Sequence, residues 1–263
     1  MVTERSFYTT QLQAGLGLIS ETRELLELWV PGMSVSQLNQ VALDSGRFPN
    51  VTARRLRNVI SECFSPRYLT SKGAPAQHLK SLCGSVSGSD ISQLLLLFTA
   101  RANPILSDFI RDVYWPRYAG GYAEISTVDA RAFVERAIDD GKTSIRWSDS
   151  TVRRVSAYLT GCCADYGLLE RGTRSSRRIL PLRISHITAA YLAYDMHFAG
   201  MSDNALLTHP DWQLFGLARG DVLEELKKLS LKGHLIVQAA GDIVRISWKQ
   251  PSMEALCDVL SEK

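Results

Sequence analysis

The sequence predicts a mainly α protein: a helical bundle with helix-turn-helix and winged-helix units and short β-hairpin wings. Three observations lead there. Apolar residues recur at spacings of three and four through most of the chain. Serine, threonine or an Asn-Pro pair stands where those patterns begin, and glycine where they end. Twice in the second half, a helical pattern is followed by a glycine and two short apolar runs.

The first helix runs from Ser20 to Trp29, with Leu25, Leu26, Leu28 and Trp29 as its apolar positions, and Pro31-Gly32 breaks it. Ser34 or Ser36 caps a second helix bearing Val35, Leu38, Val41 and Ala42, which Asp44-Ser45-Gly46 closes. Thr52 caps a third, whose buried stripe is Leu56, Val59, Ile60 and Cys63. Together these form a helix-turn-helix candidate. Its connection from Asp44 to Val51 is longer than the three or four residues of the compact motif.

Residues 70–90 hold Gly73, Pro75, Gly84, Gly88 and several serines, which predicts loops around a short helix near Gln77 to Cys83, and a domain boundary. This gives an N-terminal helix-turn-helix-like domain over 1–75 and a second helical domain over 76–263. Asp90 and Gln93 suit a capping box for a helix from Ile91 to Ala100. Asn103-Pro104 restarts a helix to Tyr114, and Ser126 or Thr127 caps one that Asp139-Asp140-Gly141 ends.

Ser148 or Ser150 then caps a helix whose core stripe is Val152, Val155, Leu159, Cys162 or Cys163, and Tyr166, leaving Arg153 and Arg154 off it. Gly167 ends that helix. Leu168 to Glu170 and Ile179 to Leu182 read as strands flanking a wing from Arg171 to Arg178, so a winged helix is expected over about 142–183. Helices over Ile184 to Ala199 and Asp221 to Leu231, then strands His234 to Gln238 and Asp242 to Trp248, repeat the plan at about 200–263.

A hydrophobic fraction of 45% with 22% charged residues is ordinary for a globular chain of 263 residues. The longest apolar run, Leu94 to Phe98, is far too short to cross a bilayer, so no membrane partner is expected. Five cysteines, scattered and without CxxC or zinc-site spacing, fit a reducing cytoplasm and argue against a metal. No phosphate-loop, dinucleotide, HExxH or GxSxG motif is present, and Gly15-Leu16-Gly17 alone is too weak to mark a phosphate loop. The five histidines lie far apart, so the expectation is a protein without catalytic residues or cofactor.

The net charge of +3 hides an asymmetry. Residues 142–183 hold nine Lys/Arg against three acids, a net +6, which leaves −3 for the remainder. A segment whose charge opposes the rest of its chain is best explained by an anionic partner. The wing arginines Arg171, Arg174, Arg177 and Arg178, with Arg153 and Arg154 on the adjoining helix and Lys142 and Arg146 before it, are the candidate contacts to double-stranded DNA phosphates. Arg54, Arg55 and Arg57 occupy the first turns of the third N-terminal helix, where recognition helices present side chains to DNA. Positive charge there opposes the helix dipole at a cost of roughly 0.3–1 kcal/mol each, though a plain solvated face fits equally well. Winged helices also bind proteins, so an interaction scaffold is the alternative.

The run Phe98-Thr99-Ala100-Arg101-Ala102-Asn103-Pro104-Ile105-Leu106-Ser107-Asp108-Phe109, with Ala14-Gly15-Leu16 through Trp29 and Arg54-Arg55-Leu56, resembles the BrxA family of bacterial BREX phage-defence systems. The resemblance implies a small DNA-binding component that recognises a non-palindromic host site for adenine methylation and blocks phage DNA replication. The methylation chemistry would then belong to a separate methyltransferase. That methyltransferase, an ATPase and a phosphatase-fold component would be its protein partners. Members of the family have been labelled inner-membrane proteins, and the absence of a long apolar segment here departs from that label.

Overall fold

A computed structural model describes residues 7–14, 17–172, 175–241 and 243–262. Met1 to Ser6, Gly15 and Leu16 of the Gly15-Leu16-Gly17 run, Thr173, Arg174 and Asp242 lie outside them. The chain divides into two compact units, Met1–Gln77 with Leu95–Leu182, and His78–Leu94 with Arg183–Lys263. It leaves the first unit at Gln77 and returns to it at Leu95. The N-terminal helices therefore share a unit with nearly all of the basic stretch. Periodicity reads elements in order and carries no signal for such a return.

The first unit opens with α1 (Ile19–Leu28), α2 (Val35–Asp44), α3 (Ala53–Asn58) and α4 (Ser65–Tyr68). Ser34 caps α2 through a capping box: the Gln37 N–H donates to its hydroxyl at 3.2 Å and its own N–H donates to Gln37 Oε1 at 2.8 Å. Thr52 accepts the Arg55 N–H and starts α3. Gly73 adopts a positive φ of 85°, and a Cβ there would fall 2.5 Å from the buried ring of Trp29, so only glycine lets the backbone pass.

The helix begun by α3 runs on through its apolar stripe and past Cys63. It passes through a π-helical turn, Val59–Phe64, into α4. The same occurs between α7 and α8, where Ile110–Tyr114 is π-helical. In both cases a proline, Pro66 or Pro116, stands at the second position past the turn. Proline removes one N–H and crowds the preceding turn, and the widened turn absorbs both effects without breaking the helix.

α5 (Ala74–Cys83), α6 (Gly88–Ala102), α7 (Pro104–Phe109) and α8 (Trp115–Ala119) follow. α6 starts earlier than the sequence indicates, because Ser87 is the capping residue: it receives the Asp90 N–H at 3.2 Å, and Asp90 Oδ2 receives the Ser87 hydroxyl at 2.6 Å. Gln93 is thereby released to hold the backbone of Arg183 and Ser185.

Next come β1 (Glu124–Ser126), α9 (Thr127–Asp139), α10 (Asp149–Asp165) and β2 (Ser176–Arg178). Strands β1 and β2 pair antiparallel with Ile125 opposite Arg177 and Glu124 opposite Arg178. The two strands expected at 168–170 and 179–182 appear as a Leu169–Ile179 antiparallel bridge, flanked by a Glu170 N–H to Arg178 carbonyl bond at 2.9 Å. The three-residue β1 had no sequence signal of its own. α9 packs on α10, and the apolar residues Phe133, Val134 and Ala137 of α9 and Val152, Val155 and Leu159 of α10 are all buried.

The second unit contains α11 (His186–Phe198), α12 (Asp203–Leu206), α13 (Arg219–Leu231), the antiparallel hairpin β3 (Leu235–Ala240) and β4 (Ile243–Trp248), and α14 (Met253–Ser261). Its core gathers on Tyr194, whose hydroxyl donates to the His234 carbonyl at 2.6 Å and accepts the Lys249 N–H at 3.0 Å. The Tyr194 ring meets Trp248 edge-on at 4.8 Å. Among the described residues no helix is long and apolar enough to cross a membrane.

Candidate nucleic-acid interface

α10 begins at Ser148, whose hydroxyl accepts the Thr151 N–H, and its buried stripe turns Arg153 and Arg154 outward. Arg154 has no carboxylate partner among the described residues. Arg153 donates to Asp149 Oδ2 at 2.8 Å, and Arg131 of α9 donates to Asp149 Oδ1 at 2.5 Å while also holding Glu135 at 2.8 Å. Arg131 was not singled out from sequence, although its i,i+4 spacing to Glu135 was visible there. Arg146 is 81% exposed and touches Asp139 only at 3.4 Å.

Lys142 is differently placed. Its ammonium lies 3.0 Å from Asp108 and 3.1 Å from the Tyr8 hydroxyl, and its carbonyl accepts the Tyr8 N–H. Burial works to raise the Asp108 carboxyl, but the Tyr8 hydroxyl and Lys142 outweigh it and hold Asp108 below its usual value. Burial and the adjoining Asp108 push the Tyr8 hydroxyl far up, so it stays protonated and donates to that carboxylate. The charge of Lys142 is committed to tying the N-terminal segment to the turn before α10.

The two arginines of β2 do not sit on a loop tip. Alternation along the strand points Arg177 to the side of the fully buried Ile125 and Arg178 to the side of Glu124. Arg177 donates to the Glu170 carbonyl at 3.1 Å, and its Nε is buried. Arg178 remains 63% exposed, 3.7 Å from Glu170. Arg171 is exposed, and Arg174 lies outside the described residues.

On α3, Arg54, Arg55 and Arg57 are all exposed, and none has a carboxylate partner among the described residues. One of them meets the central segment. Arg55 and Arg171, from opposite ends of the unit's sequence, line a cleft of about 440 Å³ that also includes Ile19, Glu21 and Asp165. Gly17 fixes this juncture: its N–H donates to Asp165 Oδ2 at 2.9 Å, its carbonyl accepts the Tyr166 hydroxyl at 3.0 Å, and a Cβ on it would lie 2.6 Å from Asp165 Cβ.

Other chemistry is thin. Among the described residues no group of three or more His, Cys, Asp and Glu is disposed to hold a metal ion. All five cysteines are free and buried. Burial pushes the Cys162 thiol up to about 12, which leaves it protonated and inert at neutral pH. His186 and His234 stack at 6.4 Å, and His78 contacts the Tyr191 hydroxyl at 2.9 Å.

The fold is similar to that in a crystal structure of an uncharacterized protein from Magnetospirillum magneticum, with a TM-score of 0.56 and 17% identity, covering 73% of this chain and 94% of that one. No functionally curated protein matches the chain. Residues 6–195 match the model of the BrxA family, in line with the resemblance carried by Phe98 to Phe109, and the chain belongs to that family, a component of BREX phage defence.

Proposed function

We propose that this protein is a non-enzymatic, double-stranded DNA-binding accessory component of a BREX-type defence system. The observation that carries the reading is the outward face of α10 and the adjoining hairpin, where Arg153, Arg154, Arg171 and Arg178 are exposed on a stretch of net +6. The order strand β1, helix α9, helix α10, then the bridged pair 168–180, supports a winged helix in which α10 takes the recognition position. Exposed guanidiniums at that position suit phosphate oxygens, which they can engage with paired N–H groups. The test is anisotropy of a labelled duplex titrated with protein across a salt series. Affinity is expected to fall steeply with salt, since each neutralised phosphate adds about 0.9 to the log–log slope. Absence of duplex binding at low salt would overturn the reading.

A second reading, docking of another defence-system protein, is favoured at the C-terminal hairpin alone. There Ile236 and Ile243 are outward, and Leu231, the last residue of the preceding α13, is 90% exposed. Its test is co-purification with the methyltransferase, ATPase or phosphatase-fold component. Retention of a partner by a Leu231→Ser, Ile243→Ser variant would overturn it.

A further inference from the structure

Two of the exposed arginines belong to different parts of the sequence yet face one space. Arg55 stands on the first turn of α3 and Arg171 just past the Gly167 turn that ends α10, and both line the cleft beside the start of α1. Neither is neutralised by a carboxylate side chain among the described residues; Arg171 reaches only the Asp165 carbonyl, at 3.4 Å. Asp165 itself is taken up by the Gly17 amide. The walls of the cleft are held together by Gly17, where the absence of a side chain allows the α1 approach to lie directly on the C-terminal end of α10. The cleft that the two arginines line, of about 440 Å³, has room for a phosphate group.

We propose that Arg55 and Arg171 jointly hold one DNA phosphate, so that α3 and the central wing act on a single strand as one composite surface and not as two independent sites. This rests on the reading that the chain binds duplex DNA. A diester seated there forms charge-assisted hydrogen bonds to both side chains at once, and the second arginine adds little once the first is gone. Glu21 and Asp165, which share the cleft, are the adverse charges that such a phosphate must tolerate; the Gly17 amide holds the Asp165 carboxylate in place without cancelling its charge.

The experiment is a double-mutant cycle on duplex binding with Arg55→Ala, Arg171→Ala and the pair, each over a salt series. One shared phosphate predicts that each single variant and the pair all lower the salt slope by the same amount, about 0.9, and that the affinity losses fall short of multiplying. Losses that multiply with a slope change of about 1.8 in the pair would mean two separate phosphates and overturn the proposal, as would no loss in either single variant. Glu21→Gln is expected to tighten binding severalfold in the native background and not in the double variant; an equal gain in both overturns the shared seat. If an alanine variant fails to fold, Arg55→Lys and Arg171→Lys keep the charge and lose the paired geometry, and their losses must likewise fail to multiply. A native protein that binds no duplex at low salt removes the DNA reading itself, a result separate from any of these.

Discussion

The central and C-terminal segments repeat one local plan, a helix ended by glycine and followed by an antiparallel pair, yet they treat charge in opposite ways. On α13 the two lysines are neutralised at i,i+3 spacing, Lys227 by Glu224 at 2.8 Å and Lys228 by Glu225 at 2.6 Å. On α10, Arg154 has no acidic partner among the described residues and Arg153 shares the single carboxylate of Asp149 with Arg131. The outward face of the C-terminal hairpin carries Ile236 and Ile243 beside a single Arg245, whereas that of the central one carries Arg178. The difference lies in where acids sit three or four residues away, not in the backbone. A phosphate approaching α13 must displace intact ion pairs, whereas one approaching α10 meets Arg154 with no acidic partner among the described residues and Arg153 held only by a carboxylate that it shares with Arg131.

The largest expected effect separates the two segments directly. Replacing Arg153, Arg154 and Arg178 with alanine should weaken duplex binding by about 10²-fold and lower the salt slope by about 2.7, one phosphate for each arginine. Lys227→Ala with Lys228→Ala should leave affinity within about twofold, because those charges are already compensated. Equal losses in the two sets, read by anisotropy at fixed salt, would erase the distinction.

A smaller effect, of opposite sign, sharpens it. Asp149 sits in the first turn of α10 and engages both Arg131 and Arg153. Asp149→Asn removes a negative charge from the face proposed to meet phosphate and frees the Arg153 guanidinium, while Arg131 keeps Glu135, so affinity should rise by about three- to tenfold. The same change removes a charge that favours the start of the helix, at a cost of roughly 0.3–1 kcal/mol, so the melting temperature should drop slightly while binding improves. A variant that binds no better would place Asp149 outside the interface.

How far these features could be read from the sequence depends on their range along the chain. Most helices and the basic stretch are local patterns and were legible, as was the Thr52 cap; at Ser34, Ser126 and Ser148 the structure chose between two caps the sequence offered, and α12 and α14 were not read. The π-turns before Pro66 and Pro116 were not, because proline read locally signals a break, while the packing of Phe64 and Tyr114 keeps the helix going. β1 has three residues and gains its identity only by pairing with β2, fifty residues away in sequence. The meeting of Arg55 with Arg171, and the capture of Lys142 by Asp108, depend on tertiary placement that no periodicity encodes.

The last prediction concerns two adjacent arginines that sequence alone treats alike. In β2 the pleat sends Arg177 toward Ile125 and the buried sulfurs, where its charge lowers a Cys163 thiol that burial raises well above its usual value, while Arg178 goes to the surface. Arg177→Ala should therefore cost stability, about 1–3 kcal/mol from the lost packing and the unmade bond to the Glu170 carbonyl, and leave affinity per folded molecule within about twofold. Arg178→Ala should do the reverse, with an unchanged melting temperature and an affinity loss of several fold, since it removes one exposed phosphate contact. Thermal melts and duplex titrations on both variants test this together. If Arg177 proves to be the one that affinity depends on, β2 presents its other face to DNA, and the contrast between the central and C-terminal hairpins must be redrawn around the side of the strand rather than its charge.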